Sequence, residues 1–152
     1  MNPISPDQAL GAVVGFLRDL WALDHGLRSV SKALQSKIGV TGAQRAVLLL
    51  VASLPRPSAT DLAQHLSIHR STLAGILRRL EGRGLIVRHS DPDDGRRVLF
   101  EPSDKGRAVL SPKEHTIEGA VRSTINRLPE EKIQAAREVL SELSTELSRI
   151  PR

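Results

Sequence analysis

Apolar residues at the start of the chain recur with the period of an amphipathic helix. From about Asp7 to Lys37 they are spaced by three, four and seven residues, and Gly39 follows as a terminator. A helix of this length is longer than one small domain usually requires, so we expect it to pack on more than its own domain. The apolar positions are Leu10, Val13, Val14, Leu17, Leu20, Trp21, Leu27 and Leu34.

Two capping signatures predict the next helices. Thr41 with Gln44 has capping-box spacing and precedes an almost wholly apolar helix that Pro55 and Pro57 end. Ser58 with Asp61 repeats the signature before a second short helix. A turn at residues 67–69 follows, and then a helix from Arg70 to about Arg83 with Gly84 as its terminal glycine.

Two short apolar runs after Gly84 predict a β-hairpin. Leu85–Val87 and Val98–Phe100 are the strands, and Asp91–Gly95 has the composition of a tight turn, which Asp94 and Gly95 are expected to shape. A helix-turn-helix followed by a hairpin is the order of a winged helix, a fold that binds double-stranded DNA. The predicted fold is therefore mainly α-helical with a small β-wing.

The remainder of the chain predicts further helices. Ser103 can cap a helix starting at Asp104, which Pro112 should kink or split, with Ser111 as a new cap. Helical pattern resumes from Glu114 to Leu128. From Pro129 the last helix carries apolar residues at heptad-type spacing, namely Ile133, Ala136, Leu140, Leu143, Leu147 and Ile150.

These patterns predict a division into a DNA-binding domain at residues 41–111 and a helical dimerisation region at residues 1–40 and 112–152. The heptad-type seam is too short for an isolated coiled coil, so it must pack against another element. We favour a homodimer over packing inside one protomer, because both terminal helices carry apolar faces. The predicted dimer contacts are Leu10, Val13, Val14, Leu17, Ile133, Leu140, Leu143, Leu147 and Ile150.

The helix from Arg70 to Arg83 is predicted to read DNA. Leu73, Ile76, Leu77 and Leu80 form one narrow stripe for the core, and small or hydrogen-bonding residues occupy the rest of the helix. An ordinary solvent-exposed face is the alternative. Such a face usually carries acidic residues along its length and avoids a mid-helix glycine, whereas this one contains Gly75 and has no acidic residue before Glu81. The predicted DNA contacts are Ser58, Thr60, His69, Arg70, Ser71, Thr72, Ala74, Gly75, Arg78, Arg79, Arg96 and Arg97.

Charge and composition fit this function and exclude several others. The net charge of +5 suits a phosphate-rich partner, although an anionic membrane would also attract it. The chain has no cysteine, so disulfides and thiol chemistry are excluded. No window approaches the roughly 18 apolar residues of a membrane span, and no secretory signal is visible. We therefore expect a cytoplasmic protein that does not bind membranes.

No constellation of catalytic or cofactor-binding residues is recognisable. A phosphate-binding glycine loop, a serine elbow and a carboxylate pair on one face are all missing, so an enzyme is not expected. His65 and His69 are four residues apart, but the predicted turn separates them and argues against a zinc site. The aspartates near Gly95 lack the spacing of a calcium loop. No cofactor and no metal are predicted.

The run from Thr41 to Gly106 resembles the MarR family (multiple antibiotic resistance regulators), the winged-helix transcription factors of bacteria and archaea. The residues that carry the resemblance are Thr41, Gln44, Ser58, Asp61, Leu62, Ala63, Leu66, Arg70, Ser71, Thr72, Leu73, Leu80, Glu81, Gly84, Leu85, Ile86, Asp91, Pro92, Asp94, Arg96, Val98, Lys105 and Gly106.

The resemblance implies an obligate homodimer with intertwined terminal helices, most often a repressor. It implies that the 70–83 helix enters successive major grooves of a pseudo-palindrome and that Arg96 reaches the minor groove. Half-sites would then lie about 10 base pairs apart. A sequence-blind nucleoid-type DNA binder and a winged helix used for protein contacts are the alternatives.

Two further expectations follow from the resemblance. Members of this family often bind aromatic acids between the dimerisation helices and the winged helix, so a small aromatic or anionic effector is one reading of Trp21 and His25; core packing is the other. The chain departs from the family at His69, where an aspartate cap is common, and at Pro112, which interrupts a usually continuous helix. The kink at Pro112 is a hypothesis for what sets half-site spacing.

Overall fold

The computed structural model describes residues 6–112 and 114–151. It forms two compact units, of which the first ends at Ile117 and the second begins at Glu118. Within the described residues the elements of the first unit are α1 (Pro6–Ile38), α2 (Gly42–Ser53), α3 (Ala59–Leu66), α4 (Arg70–Gly82), β1 (Ile86–Ser90), β2 (Val98–Pro102) and α5 (Asp104–Leu110). Ile117 is also the first residue of α6 (Ile117–Ile125), and α7 (Glu130–Arg149) follows in the second unit.

Side-chain caps mark the starts of α2 and α3 but not the start of α4. Both predicted capping boxes are confirmed, with Thr41 and Gln44 at the start of α2 and Ser58 and Asp61 at the start of α3. At α4 the N-cap residue His69 makes no side-chain hydrogen bond to the helix. The first turn of α4 therefore lacks the side-chain cap that starts α2 and α3.

Glycines with positive φ end two helices, as the sequence predicts. Gly39 has φ +74° after α1, and Gly84 has φ +67° after α4. After α4 the amides of Gly84 and Leu85 donate to the carbonyls of Glu81 and Leu80 at 2.8 and 2.9 Å, which is the paired arrangement of a Schellman motif. The motif holds Leu85 in the turn, so β1 begins one residue later than predicted.

The wing is an antiparallel pair in which Ile86 lies opposite Pro102 and Ser90 opposite Val98. An isolated bridge between Ser58 and Leu99 adds a third short edge, and the amide of Phe100 donates to the carbonyl of Pro57 at 3.0 Å. The chain segment that enters α3 is thus hydrogen-bonded to β2. This connection joins the wing to the helix-turn-helix through the backbone.

One hydrophobic core holds the winged helix together. It contains the α4 stripe predicted from the sequence, Leu73, Ile76, Leu77 and Leu80, all of them buried. The stripe packs with residues of α2, α3 and the wing, namely Val40, Val47, Leu48, Val51, Leu62, Ala63, Leu85, Ile86 and Phe100. Burying one side of α4 necessarily presents the other side to solvent.

The chain between α5 and α6 differs in detail from the prediction. Pro112 does interrupt the helix, but Ser111 is the C-cap of α5 and not a new N-cap. The next helix begins at Ile117 and not at Glu114. The Arg45 side chain from α2, itself 1% exposed, donates to the carbonyls of Val109, Leu110 and Pro112. It thereby satisfies carbonyl groups that the end of α5 leaves without helical partners.

The terminal helices expose apolar side chains. On α1, Leu10, Val13, Val14 and Trp21 are between 56 and 67% exposed. No residue of α7 is buried, and Leu140 and Leu147 are 47 and 58% exposed. None of the described helices is long and apolar enough to cross a membrane.

Candidate nucleic-acid interface

A groove of about 760 Å³ lies between the start of α3, α4 and the wing. Its walls are rich in arginine and contain three carboxylates. The residues that line it are Ser58, Ala59, Thr60, Asp61, Arg70, Leu73, Ala74, Leu77, Arg78, Glu81, Arg88, Asp94, Arg96, Arg97, Val98 and Phe100.

Core packing determines which side of α4 faces this groove. Arg70, Ala74, Arg78 and Glu81 follow one another at spacings of three and four along α4, and all four line the groove. Ala74 keeps the helix surface low between the two arginines. The arrangement leaves room for a partner to approach the helix closely between two positive charges.

The predicted DNA contacts divide into groups in the structure. Thr60, Arg70, Ala74, Arg78, Arg96 and Arg97 line the groove. His69, Ser71, Thr72 and Arg79 are exposed but lie outside its lining, as does the half-buried Gly75. Ser58 is only 4% exposed and its hydroxyl caps α3. Ser58 also lines the groove, and its hydroxyl is hydrogen-bonded within the protein to Asp61 and Arg97, so it supports the start of α3; its role as a DNA contact stays a prediction.

Arg97 fastens the wing to α3. Its Nη2 lies 2.8 Å from Oδ2 of Asp61 and 3.3 Å from Oγ of Ser58, and its Nη1 lies 3.9 Å from Oδ2 of Asp91. The backbone of Arg97 also closes the hairpin, because its amide donates to the carbonyl of Asp94 and its carbonyl accepts from the amide of Asp91. Arg97 consequently positions the wing, in addition to lining the groove.

The wing tip is shaped by aspartates. Asp91 Oδ1 accepts from the amide of Asp93 at 2.9 Å, and Asp94 Oδ1 accepts from the amide of Arg96 at 3.1 Å, both of which are Asx-type turns. Gly95 has no positive φ and open space around the position of a Cβ. The predicted shaping role of Asp94 agrees with this geometry, whereas the backbone does not require glycine at position 95.

Asp61 is the junction of this network. Its pKa is held below the ordinary value chiefly by hydrogen bonds from the amide and hydroxyl of Ser58. Burial opposes this lowering, while the hydrogen bond from Arg97 and its positive charge lower the pKa further. The carboxylate accepts from the Ser58 amide at 2.8 Å and from the Ser58 hydroxyl at 2.7 Å. Ionised Asp61 therefore stabilises both the start of α3 and the seat of the wing.

Because the pKa of Asp61 is lower in the folded state, its contribution to stability is present above the unfolded value and is lost as pH falls through the folded value. An Asp61→Asn variant should therefore be less stable than wild type at neutral pH. The difference should shrink once pH falls below 3.8, the ordinary value. Urea unfolding at a series of pH values measures this, with Asp93→Asn at the exposed tip as the matched control. A difference that persisted unchanged to pH 2 would contradict it.

A second set of charges ties the entry of α3 to the outer face of the wing. Arg56 Nε lies 2.6 Å from Oε1 of Glu101, and His89 Nε2 lies 3.1 Å from Oε2. The pKa of Glu101 is lowered chiefly by its hydrogen bond from Arg56. These residues do not line the groove. Their contacts connect the wing to the chain segment that precedes α3.

The charges that line the groove are arranged unevenly. Each of its three carboxylates lies near an arginine: Asp61 near Arg97, Asp94 near Arg96, and Glu81 near Arg88. The other two arginines, Arg70 and Arg78, have no acidic partner among the described residues. Five arginines against three carboxylates leave the groove positive, and the two unpaired cations both lie on α4.

Three groove residues were not predicted from the sequence: Asp61 as an anchor of the wing, Glu81 and Arg88. For Arg88 a signal was present, because strand residues alternate between faces and Ile86, two positions earlier, is a core residue. That alternation puts Arg88 on the face of the wing that packs toward α4. Its partner Glu81 could not be identified from spacing.

The predicted effector residues Trp21 and His25 lie on α1 outside the two grooves described here. Trp21 is 67% exposed and His25 is exposed, so neither is buried in the core of this protomer, and their role at an effector site stays a prediction. An open groove of about 430 Å³ lies further along α1, against the start of α2. It is lined by Leu27, Arg28, Ser31, Lys32, Gln35, Gly42, Ala43 and Ile117. The described residues contain no cluster of side chains suited to hold a metal ion.

Comparisons with known proteins agree with this geometry. Residues 38–97 match the sequence model of the MarR family. The homoprotocatechuate degradative operon repressor of Escherichia coli is 30% identical over 68% of this chain and 70% of its own length. An HTH-type transcriptional repressor of Mycobacterium tuberculosis is 25% identical over 89% of this chain and 96% of its own.

The fold is likewise similar to solved structures. A MarR family transcriptional regulator from Streptomyces coelicolor, solved in complex with DNA, matches with a TM-score of 0.72 at 22% identity. The match covers 95% of this chain and 94% of that one. The long terminal helices, the helix-turn-helix and the two-stranded wing correspond as the sequence predicts. The chain therefore belongs to the MarR family of winged-helix, DNA-binding transcriptional regulators, which are not enzymes.

Proposed function

We propose that the protein is a homodimeric repressor that reads a pseudo-palindromic operator, with α4 in the major groove and the wing at residues 90–97 in the adjacent minor groove. The observation that carries the proposal is the positive groove between α4 and the wing. Its unpaired Arg70 and Arg78 lie on the helix, and the Arg96 side chain is 96% exposed at the wing tip.

The charge pattern of this groove suits a duplex better than a protein partner. Arginine forks match phosphates and the major-groove edge of guanine, and exposed arginine at a loop tip suits a narrow minor groove. The small Ala74 between Arg70 and Arg78 permits close approach to base edges. A sequence-blind DNA binder would need the positive charge but not the low helix surface between two cations.

The exposed apolar side chains of the terminal helices support a homodimer. Leu10, Val13, Val14 and Leu17 on α1 are between 38 and 64% exposed, and α7 exposes Leu140 and Leu147. A water-exposed apolar seam on each of two helices is costly in an isolated protomer. Two copies that bury these seams against each other would also place two reading helices on the same duplex, as a pseudo-palindrome requires.

The proposal has two remaining parts: that the protein represses transcription, and that a small effector releases it from its operator. The relatives from Escherichia coli and Mycobacterium tuberculosis are repressors by name, which supports repression here. The open groove on α1 has an apolar wall at Leu27 and Ile117 and cations at Arg28 and Lys32. These features suit a small aromatic carboxylate, so this groove is a candidate effector site in addition to the predicted residues Trp21 and His25.

Selection of bound sequences from a random duplex library, at about physiological salt, tests the proposal together with the mass of the complex. A palindromic motif bound by two copies is the expected result. Binding without a motif would identify a sequence-blind DNA coater, and an absence of binding by apo protein would overturn the proposal.

Arg78→Ala and Arg96→Ala are expected to weaken operator binding in different ways. Arg78→Ala should cost about 1–3 kcal/mol and relax the motif at one position of each half-site, if its fork reads a base. Arg96→Ala should lose affinity mainly for sites with narrow A·T minor grooves. Repeating the library selection with each variant distinguishes these effects. A uniform loss over all sequences would reduce either residue to a phosphate contact.

A further inference from the structure

Arg88 lies at the base of the wing on the face that packs toward α4. In the register of the hairpin it is opposite Phe100, and its neighbour two positions earlier on the same strand is Ile86. Phe100 and Ile86 are 7 and 2% exposed, whereas Val87 and His89 on the other face are exposed. Arg88 nevertheless keeps a side chain that is 56% exposed, because it lines the groove and does not enter the core.

The Arg88 side chain is held from one side. Its Nε lies 3.7 Å from Oε1 of Glu81, in the last turn of α4, and the described residues offer its two terminal amino groups no hydrogen-bond partner. Arg96 at the wing tip has the same arrangement, with Nε 3.6 Å from Oδ1 of Asp94. Each of these two arginines thus has a carboxylate beside Nε, while its two terminal amino groups have no partner among the described residues. Those amino groups can bind a phosphate in bidentate fashion.

We propose that Arg88 is a phosphate contact at the base of the wing and that Glu81 is the residue that positions it. The inference rests on the proposed function. If α4 occupies the major groove and the wing tip the adjacent minor groove, the segment between them faces the phosphate strand that separates those grooves. Arg88 is the cation that the groove presents there. An exposed ion pair is worth at most about 1 kcal/mol, so Glu81 can orient the guanidinium without preventing its contact with DNA.

The salt dependence of binding tests the contact. Arg88→Ala should weaken binding to the selected operator and to a random duplex by the same factor, because phosphates carry no sequence information. The slope of log K against log salt should fall by about 0.9, the value for one phosphate neutralised. Arg88→Lys keeps the positive charge, so its slope of log K against log salt should be close to that of wild type. Arg107→Ala on α5, outside the groove lining, removes the same charge and should leave the slope unchanged.

A double-mutant cycle tests the role of Glu81. Glu81→Ala should weaken operator binding when Arg88 is present and should have no weakening effect in an Arg88→Ala background. Strengthening of binding by Glu81→Ala in both backgrounds would overturn the positioning role, since Glu81 would then act only by repelling DNA. Thermal unfolding of each variant separates loss of contact from loss of fold.

The outcomes for the inference and for the proposed function are distinct. Failure of the wild-type protein to select any operator would overturn the proposed function. Operator binding by wild type with an unchanged salt slope in Arg88→Ala would overturn the inference alone. A change of the selected motif in Arg88→Ala would also overturn it, because Arg88 would then contact a base.

Discussion

A Leu140→Glu variant is expected to be monomeric and to bind the operator about 10²- to 10⁴-fold more weakly than wild type, since it loses the second half-site contact. Leu140 is 47% exposed on α7 and belongs to a seam with Leu143 and Leu147. In the proposed dimer the substitution would place a carboxylate in each copy of a buried apolar interface, where an unpaired charge is strongly unfavourable.

Thr145→Glu is the matched control for this variant. Thr145 lies on the opposite side of α7 from the seam and is exposed, and its hydroxyl donates to the Ser141 carbonyl at 3.0 Å. The Thr145→Glu substitution introduces the same charge into the same helix as Leu140→Glu and should leave the dimer intact. Light-scattering mass and operator titration at equal protein concentrations give both readouts. A dimeric Leu140→Glu protein with wild-type affinity would contradict the assignment of this seam to the dimer interface.

Replacing Gly106 by alanine is expected to lower the free energy of unfolding by about 3 kcal/mol or more, the upper range for overpacking a core. A Cβ at this position would overlap the carbonyl oxygen of Leu85 and lie 3.3 Å from Cδ1 of Leu48. The φ of Gly106 is not positive, so close approach of α5 to the chain before β1, and not backbone conformation, requires the glycine. The group that a Cβ would meet is the backbone carbonyl of Leu85, which cannot rotate away as a side chain could.

Gly75→Ala provides the comparison. Gly75 is inside α4 and has nothing within 4 Å of a Cβ, so alanine should stabilise the helix by about 0.5–1 kcal/mol. Urea unfolding of both variants measures the two opposite effects. Equal stability of Gly106→Ala and wild type would contradict the close approach of α5. Weaker operator binding by the more stable Gly75→Ala would support the prediction that Gly75 lies against DNA.

Most of the secondary structure could be predicted because its determinants are close together in the chain. The capping boxes at Thr41 and Ser58 depend on residues three positions away, and the ends of α1 and α4 depend on one glycine each. The core stripe of α4 follows from helical period alone. The end of α5 was harder to predict, because its carbonyls are satisfied by Arg45, 64 positions before Val109, and spacing cannot reveal such a partner.

The candidate site was predictable in type and less so in detail. Arg70, Arg78 and Arg96 were predicted to contact DNA because they are cations on a helix face and at a loop tip, and all three line the groove. The burial of Ser58 could not be predicted, because a capping serine can be either exposed or buried. Arg97 was assigned to DNA alone, while its partner Asp61 lies 36 positions earlier. The effector role of Trp21 and His25 stays a prediction, and the groove where α2 meets α1 could not be predicted because its residues come from separate elements.

By itself, the sequence determined the order of the helices and strands, the positive charge, the core stripe of α4 and the family. These depend on hydrophobic period, on capping within one helical turn and on residue types, all of which are local. Only the tertiary structure decided that Asp61 holds the wing through Arg97, that Glu81 lies beside Arg88 and that Arg45 closes the end of α5. Those pairs depend on how separate elements pack, and packing brings together residues that no periodicity along the chain relates.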